Sequence, residues 1–267
     1  MNKMIFLIMG ICIIIIPLTQ AFDITQCTTI TERGTYYLTQ NLFNDDEEYS
    51  CIEIQSDYVT INGNGYGIYN DWNDACVYVE NQKNINVKGL KCYETYTGVE
   101  AVNSKYLDIS NNYFDYPDFS AFEFYSVDGF NIVNNQVIGS DSTNAVDLTN
   151  SKNGAIQSNR LENSGYNFYF SGNLSNIRIY NNYVKSYYQD LFVSRGSRLS
   201  YFKWNIPKIL GKNIVGGKYI AGNYWANRVS LRCADFNSDG LCDDEIQVLG
   251  YNQYDKMPLA GGGLKLR

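Results

Sequence analysis

The chain has 267 residues, 45% of them hydrophobic and 18% charged, with 28 acidic against 21 basic side chains and no histidine. A net charge of −7 argues against nucleic acid and anionic membranes as partners. The missing histidine excludes Ser-His-Asp catalysis and His-ligated zinc.

At the N-terminus, Lys3 precedes an apolar run from Met4 to Pro17, and Thr19-Gln20-Ala21 supplies small residues for cleavage. This predicts a signal peptide over residues 1–21, because a run of about a dozen apolar residues is short for a membrane span. No later segment is apolar enough to cross a bilayer, so the mature chain is expected to be secreted or displayed at the cell surface. Loss of the leader removes Cys12 and leaves six cysteines, at positions 27, 51, 76, 92, 233 and 242. An even number in an exported chain reads as disulfides, although six cysteines allow ~15 pairings.

From Ile24 through Leu38 to Cys51-Ile-Glu-Ile54 the pattern reads as an N-terminal cap, with Cys27 and Cys51 placed to tie it to the first coils. A repeat follows. Val87-Lys-Gly89, Ile109-Ser-Asn111-Asn112, Ile132-Val-Asn134-Asn135, Ile156-Gln-Ser158-Asn159 and Ile179-Tyr-Asn181-Asn182 begin 22, 23, 24 and 23 residues apart. Ile61-Asn-Gly63 is an earlier copy and Ile220-Ala-Gly222-Asn223-Tyr-Trp225 a late one. Within each repeat apolar residues alternate, as in Phe122-Glu-Phe124 and Val146-Asp-Leu148, which is a strand signal. Strands repeating every ~23 residues predict an all-β, right-handed parallel β-helix, one repeat per coil. Asn112, Asn135, Asn159 and Asn182 then stack at one turn. Cys76 and Cys92 fall within one coil, which leaves a bridge or two buried thiols open.

Aligned repeats put Tyr78, Glu100, Glu123, Asp147, Tyr169 and Phe192 at one outward position. Carboxylates about one strand spacing apart, ~4.8 Å, with aromatic neighbours, make Glu100, Glu123 and Asp147 candidate catalytic or sugar-contacting residues. As a glycosidase one carboxyl acts as acid and one as nucleophile. A polysaccharide lyase would use the carboxylates with a calcium and a basic residue, for which Lys152, Arg160, Arg178 and Arg195 are candidates. A merely polar outer face is the alternative. Asn173-Leu-Ser175 is an N-glycosylation sequon.

From Trp204 the period breaks, giving residues 22–203 as the solenoid and 204–267 as a C-terminal cap. Within the cap, Asp235, Asn237 and Asp239 precede Gly240, with Leu241 and Asp243 after it. Oxygen ligands at positions 1, 3 and 5, a sharp turn at 6 and a carbonyl at 7 predict a structural calcium loop closed by Cys233 and Cys242. Position 12 is Ile246 in place of the usual Glu.

The cysteine-bearing start, Val59-Thr-Ile-Asn-Gly63-Asn-Gly65, the Asn-Asn repeats, Gly222-Asn-Tyr-Trp225, the Asp235–Asp243 loop and the closing Tyr254-Asp-Lys-Met-Pro-Leu259 together resemble the NosD-type β-helix proteins. The resemblance covers nearly the whole mature chain. It implies the solenoid fold and an extracytoplasmic location, and for the namesake members periplasmic copper binding. It extends to carbohydrate-binding proteins and sugar hydrolases. Copper is not expected here, since histidine is missing and Met257 is the one methionine after the leader. The expected role is structural, adhesive or glycan-contacting, with polysaccharide, cell-surface glycan or other surface proteins as partners. A carbohydrate-active enzyme and a metal-binding accessory protein are the alternatives.

Overall fold

The computed structural model describes residues 20–44, 50–70, 74–228, 233–249 and 253–261. The predicted leader lies outside them except for Gln20 and Ala21, and Ala21 opens the first strand, Ala21–Ile24. The chain winds as a parallel β-solenoid of about 7 turns, each of roughly 23 residues.

One coil shows how sequence sets the path. Lys105–Ser110 forms the first face, Asn111-Asn112 turns the chain, and Tyr113–Asp115 makes a short face. A loop over 116–119 leads to the long face, Ser120–Tyr125, after which Ser126-Val127 turns into Asp128–Val133 of the next coil. The first face is a nine-stranded sheet running from Ala21–Ile24 to Arg198–Ser200. The short and long faces belong to one 14-stranded sheet, because the 12-residue strand Arg160–Ser171 pairs with Gln136–Ile138 at one end and Asn144–Thr149 at the other.

Stacked apolar residues fill the interior. Ile61, Val87, Ile109, Ile132, Ile156 and Ile179 occupy one register position of the first face. Val77, Val99, Phe122, Val146, Phe168 and Leu191 occupy one of the long face, and all twelve are buried. The turns explain the abundance of asparagine. Asn81, Asn103, Asn111, Asn134, Asn150 and Asn181 all sit at φ between 50° and 57°, the left-handed region that Asn tolerates better than other non-glycine residues. At Gly63 glycine is required for another reason: a Cβ there would run into the Gly89 carbonyl and Leu90 Cα of the adjacent coil.

The second Asn of each pair points inward, as the repeat predicts. Asn112 Nδ2 donates to Asn135 Oδ1 (3.0 Å), Asn135 to Asn159 (3.1 Å), Asn159 to Asn182 (3.0 Å) and Asn182 to Asn223 (2.9 Å). Each Oδ1 also accepts a backbone N–H, and each Nδ2 also donates to a carbonyl such as Ile109 or Ile132. Every member is buried and satisfied on both sides, so the ladder rigidifies the turn without an unpaired group. The late repeat supplies the last rung, 41 residues beyond Asn182, and Tyr224–Trp225 joins the sheet beside Tyr183–Val193.

The ladder ends on Asp255. Its Oδ2 accepts from Asn223 N (2.7 Å) and Trp225 Nε1 (3.0 Å), and its Oδ1 from Met257 N (3.2 Å). Gly222 makes room for this carboxylate, since a Cβ there would overlap Asp255 Oδ1 and the Met257 carbonyl. Trp204 and Trp225 close the core, 5.9 Å apart, and Trp204 Nε1 donates to Gln253 (2.9 Å). Three disulfides add cross-links. Cys27–Cys51 joins adjacent coils, Cys76–Cys92 bridges the long and short faces inside one coil, and Cys233–Cys242 closes the acidic loop. The question left open for Cys76 and Cys92 is thus resolved as a bridge. Among the described residues no helix is long and apolar enough to cross a membrane.

Candidate functional site

The constant period carries the outward residues of the long face into register as the sequence predicts. Glu100 pairs with Tyr78 on one side and Glu123 on the other, Glu123 with Asp147, Asp147 with Tyr169, and Tyr169 with Phe192. The three carboxyls are not freely solvated. Glu100 and Glu123 are partly buried, and Asp147 is only 7% exposed. Residues at the start of each long-face strand contribute polar support: Thr97 Oγ1 donates to Glu123 (3.2 Å) and Asn144 Nδ2 to Asp147 (3.3 Å).

Burial, reinforced by the charges of Glu123, Asp74 and Glu80, pushes the Glu100 carboxyl up to about 7. Burial next to Glu123 likewise raises Asp147 to about 7, against the pull of the Asn144 hydrogen bond. Glu123 is raised by burial and held back by Thr97. The charges acting on the three are all negative.

Aromatic rings border the strip. Tyr96 and Phe119, on the loops entering the long face, stack at 5.3 Å. Beyond Asp147, Tyr169 and Phe192 stack at 5.0 Å, and Tyr166 lies 5.3 Å from Phe192. Tyr188 stands 57% exposed beside them. The strip runs along the outer side of the long face. Two concavities lie elsewhere, about 840 Å³ near Arg33 and Tyr58 and about 440 Å³ between Trp204 and Tyr254.

The basic candidates do not reach the strip. Lys152 pairs with Asp128 on the first face, and Arg178 lies on that face opposite Ala155. Arg160 is on the short face, paired with Glu162 and 4.1 Å over the Tyr183 ring. Arg195 is exposed in the turn following Val193. The repeat register already encodes the placement of Lys152, in line with Lys105 and Asp128. Sequence reasoning missed Thr97, Asn144 and the terminal Asp255. The first two recur at one repeat position and could have been found from it.

In the acidic loop, Gly240 adopts φ 88°, the sharp turn that the spacing requires. Asp235 accepts from Asp239 N (3.0 Å) and Gly240 N (2.9 Å), and Asn237 also from Asp239 N (2.9 Å). Asp239 accepts from Leu241 N (2.9 Å) and from Lys208 Nζ (2.8 Å), while Asp243 accepts from Phe236 N (2.6 Å). Among the described residues no three acidic, Cys or His side chains are grouped to hold a metal. The Asn173 side chain is exposed at the sequon.

Fold and strip together define a parallel β-helix protein with an acidic, aromatic-bordered outer face. The chain belongs to the NosD family, whose model, described as periplasmic copper-binding protein (NosD), matches residues 24–229. Among solved structures it is similar to the enzymatically active domain of bacteriophage CBA120 tailspike protein 2, at 10% identity and a TM-score of 0.26. That match covers 66% of this chain and 41% of the tailspike chain, so the chain spans about two fifths of its length. It is also similar to the Streptococcus pneumoniae surface protein and adhesin PfbA, at 10% identity and a TM-score of 0.26, over 68% of this chain and 91% of PfbA. At that level neither informs the site. No curated protein sequence gives a significant match.

The residues present do not suit the family's copper. The chain has no histidine, every described cysteine is in a disulfide, and Met257 packs on the cluster of Ala221, Leu241 and Leu259. Among the described residues the soft sulfur and imidazole donors of copper sites are therefore not on offer.

Proposed function

We propose that this protein is an exported, surface-exposed β-helix that contacts glycans along the long face. The observation that carries the reading is the in-register strip of Glu100, Glu123 and Asp147 bordered by Tyr96, Phe119, Tyr169 and Phe192. Carboxylates accept hydrogen bonds from sugar hydroxyls, and aromatic rings pack against sugar C–H faces. Three disulfides favour an oxidising compartment, extracellular or periplasmic.

A second reading, glycoside hydrolysis at the same strip, is favoured by the raised carboxyls. A protonated Glu100 or Asp147 would serve as acid and Glu123 as nucleophile, at a separation of about one strand spacing, ~4.8 Å. A lyase is disfavoured, because the basic residues it needs face elsewhere. Incubation with a panel of polysaccharides, reading retention and product masses together, separates the readings. Retention without products is expected. Products abolished by Glu123→Gln at unchanged Tm would make the protein a hydrolase, and neither retention nor products would overturn glycan contact.

Calcium in the Asp235–Asp243 loop rests on its spacing and on the lone pairs that Asp235, Asn237 and Asp243 retain beyond their N–H bonds. An ion there would draw Asp239 away from Lys208. Millimolar calcium is expected to raise Tm in the native protein and not in Asp235→Ala. An equal Tm with calcium and with chelator would leave the loop as a hydrogen-bonded turn.

A further inference from the structure

We propose that the strip takes an extended glycan bearing free amino groups, laid along the solenoid axis with one sugar residue per coil. This deepens the glycan-contacting reading and rests on it, adding the ligand's charge and direction.

Charge comes first. Glu100, Glu123 and Asp147 lie in successive coils, with Asp74 and Glu80 adding to the same negative field. Lys152, Arg160 and Arg178 are committed to other faces, so a polyuronate laid over Glu100, Glu123 and Asp147 would meet like charge. A cationic sugar relieves the repulsion that the strip stores.

Ser120 is the second, independent observation. It is fully buried, and its Oγ has no hydrogen-bond partner among the described residues. Register places it between Thr97 and Asn144, the two residues whose polar ends reach Glu123 and Asp147. The strip thus holds at its middle a hydroxyl that the fold leaves unused, at a cost of about 1–3 kcal/mol.

Periodicity decides the class of polymer. Successive coils are about 4.8 Å apart, close to the length of one pyranose in an extended chain. A lysine-rich peptide strand repeats its same-face side chains every two residues, about 6.7 Å, and falls out of step within three coils. The ring pairs Tyr96–Phe119 and Tyr169–Phe192 add surfaces for sugar C–H groups.

Titration calorimetry of the full chain with a soluble glucosamine oligomer, its fully N-acetylated counterpart, an oligogalacturonate and an oligolysine of equal charge tests this. The glucosamine oligomer is expected to bind tightest. Glu123→Gln should weaken it about tenfold, the effect of one charge-assisted hydrogen bond. Ser120→Ala should weaken it several-fold at an equal or higher Tm, since it removes an unpartnered buried hydroxyl, and Asp108→Asn on the first face should leave it unaltered. Equal binding of the N-acetylated or uronate oligomer would overturn the amino-sugar assignment while glycan contact stands. Equal binding of oligolysine would overturn the polymer class, and unchanged affinity in both strip variants would overturn the location. Binding of none of the sugars there or on the wider polysaccharide panel would remove both readings together.

Discussion

Replacing Asp255 by alanine is expected to destabilise the protein by roughly 3–5 kcal/mol, because it strands several buried donors at once. Asn223 N–H, the Trp225 indole N–H and Met257 N–H all end on this carboxylate, which is fully buried. Residues 253–261 should then become the first site of proteolysis, since Asp255 is what joins them to the ladder. Asp255→Asn tests the charge separately. Burial pushes this carboxyl up to about 7, against the four N–H bonds that favour its ionised form. A folded value above the unfolded one means that the native state binds the proton more tightly. The stabilisation is complete below the unfolded value, near 4, and is lost as pH rises through about 7. Glu100 and Asp147 act in the same direction. Tm is therefore expected to be higher at pH 5 than at pH 8, with a shallower decline in Asp255→Asn. A Tm that rises over this interval would contradict the assignment.

Asn159→Ala is expected to cost about 3 kcal/mol, a Tm drop of about 6–12 °C for a chain of this size. The substitution takes the partner from Asn135 N–H and from the Ile132 carbonyl and leaves Asn182 Oδ1 half used, all in the dry interior. Because each coil touches only its neighbours, the loss falls on the coils of Asn135 and Asn182. Asn131→Ala, on the exposed outer side of the first face, should change stability by no more than about 0.5 kcal/mol. Equal effects from the two would show that asparagine content matters and ladder position does not.

What the sequence made legible follows the repeat. A fixed period of about 23 residues carries both inward and outward positions from coil to coil, so the Asn ladder and the Glu100–Glu123–Asp147 register could be read without coordinates. Legibility stopped where the period stops. Asp255 lies 32 residues from Asn223, and nothing local in Tyr254-Asp-Lys marks it as the end of the ladder. The Cys76–Cys92 bridge depends on the width of the coil between two faces, a Cα distance of 6.4 Å that spacing does not encode. The acidic loop illustrates the reverse case. Its turn at Gly240 was legible, whereas the lysine that takes Asp239 comes from residue 208, outside any motif.

The most direct test of the strip as the contact surface compares the native protein with Glu100→Gln/Glu123→Gln/Asp147→Asn for retention on immobilised polysaccharides at neutral pH, with Tm measured alongside. Neutralising two partly buried carboxyls and the buried Asp147, which repel one another, should leave Tm equal or higher while retention is lost. A variant that folds and is retained as well as the native protein would show that the acidic strip is not where this protein meets its ligand.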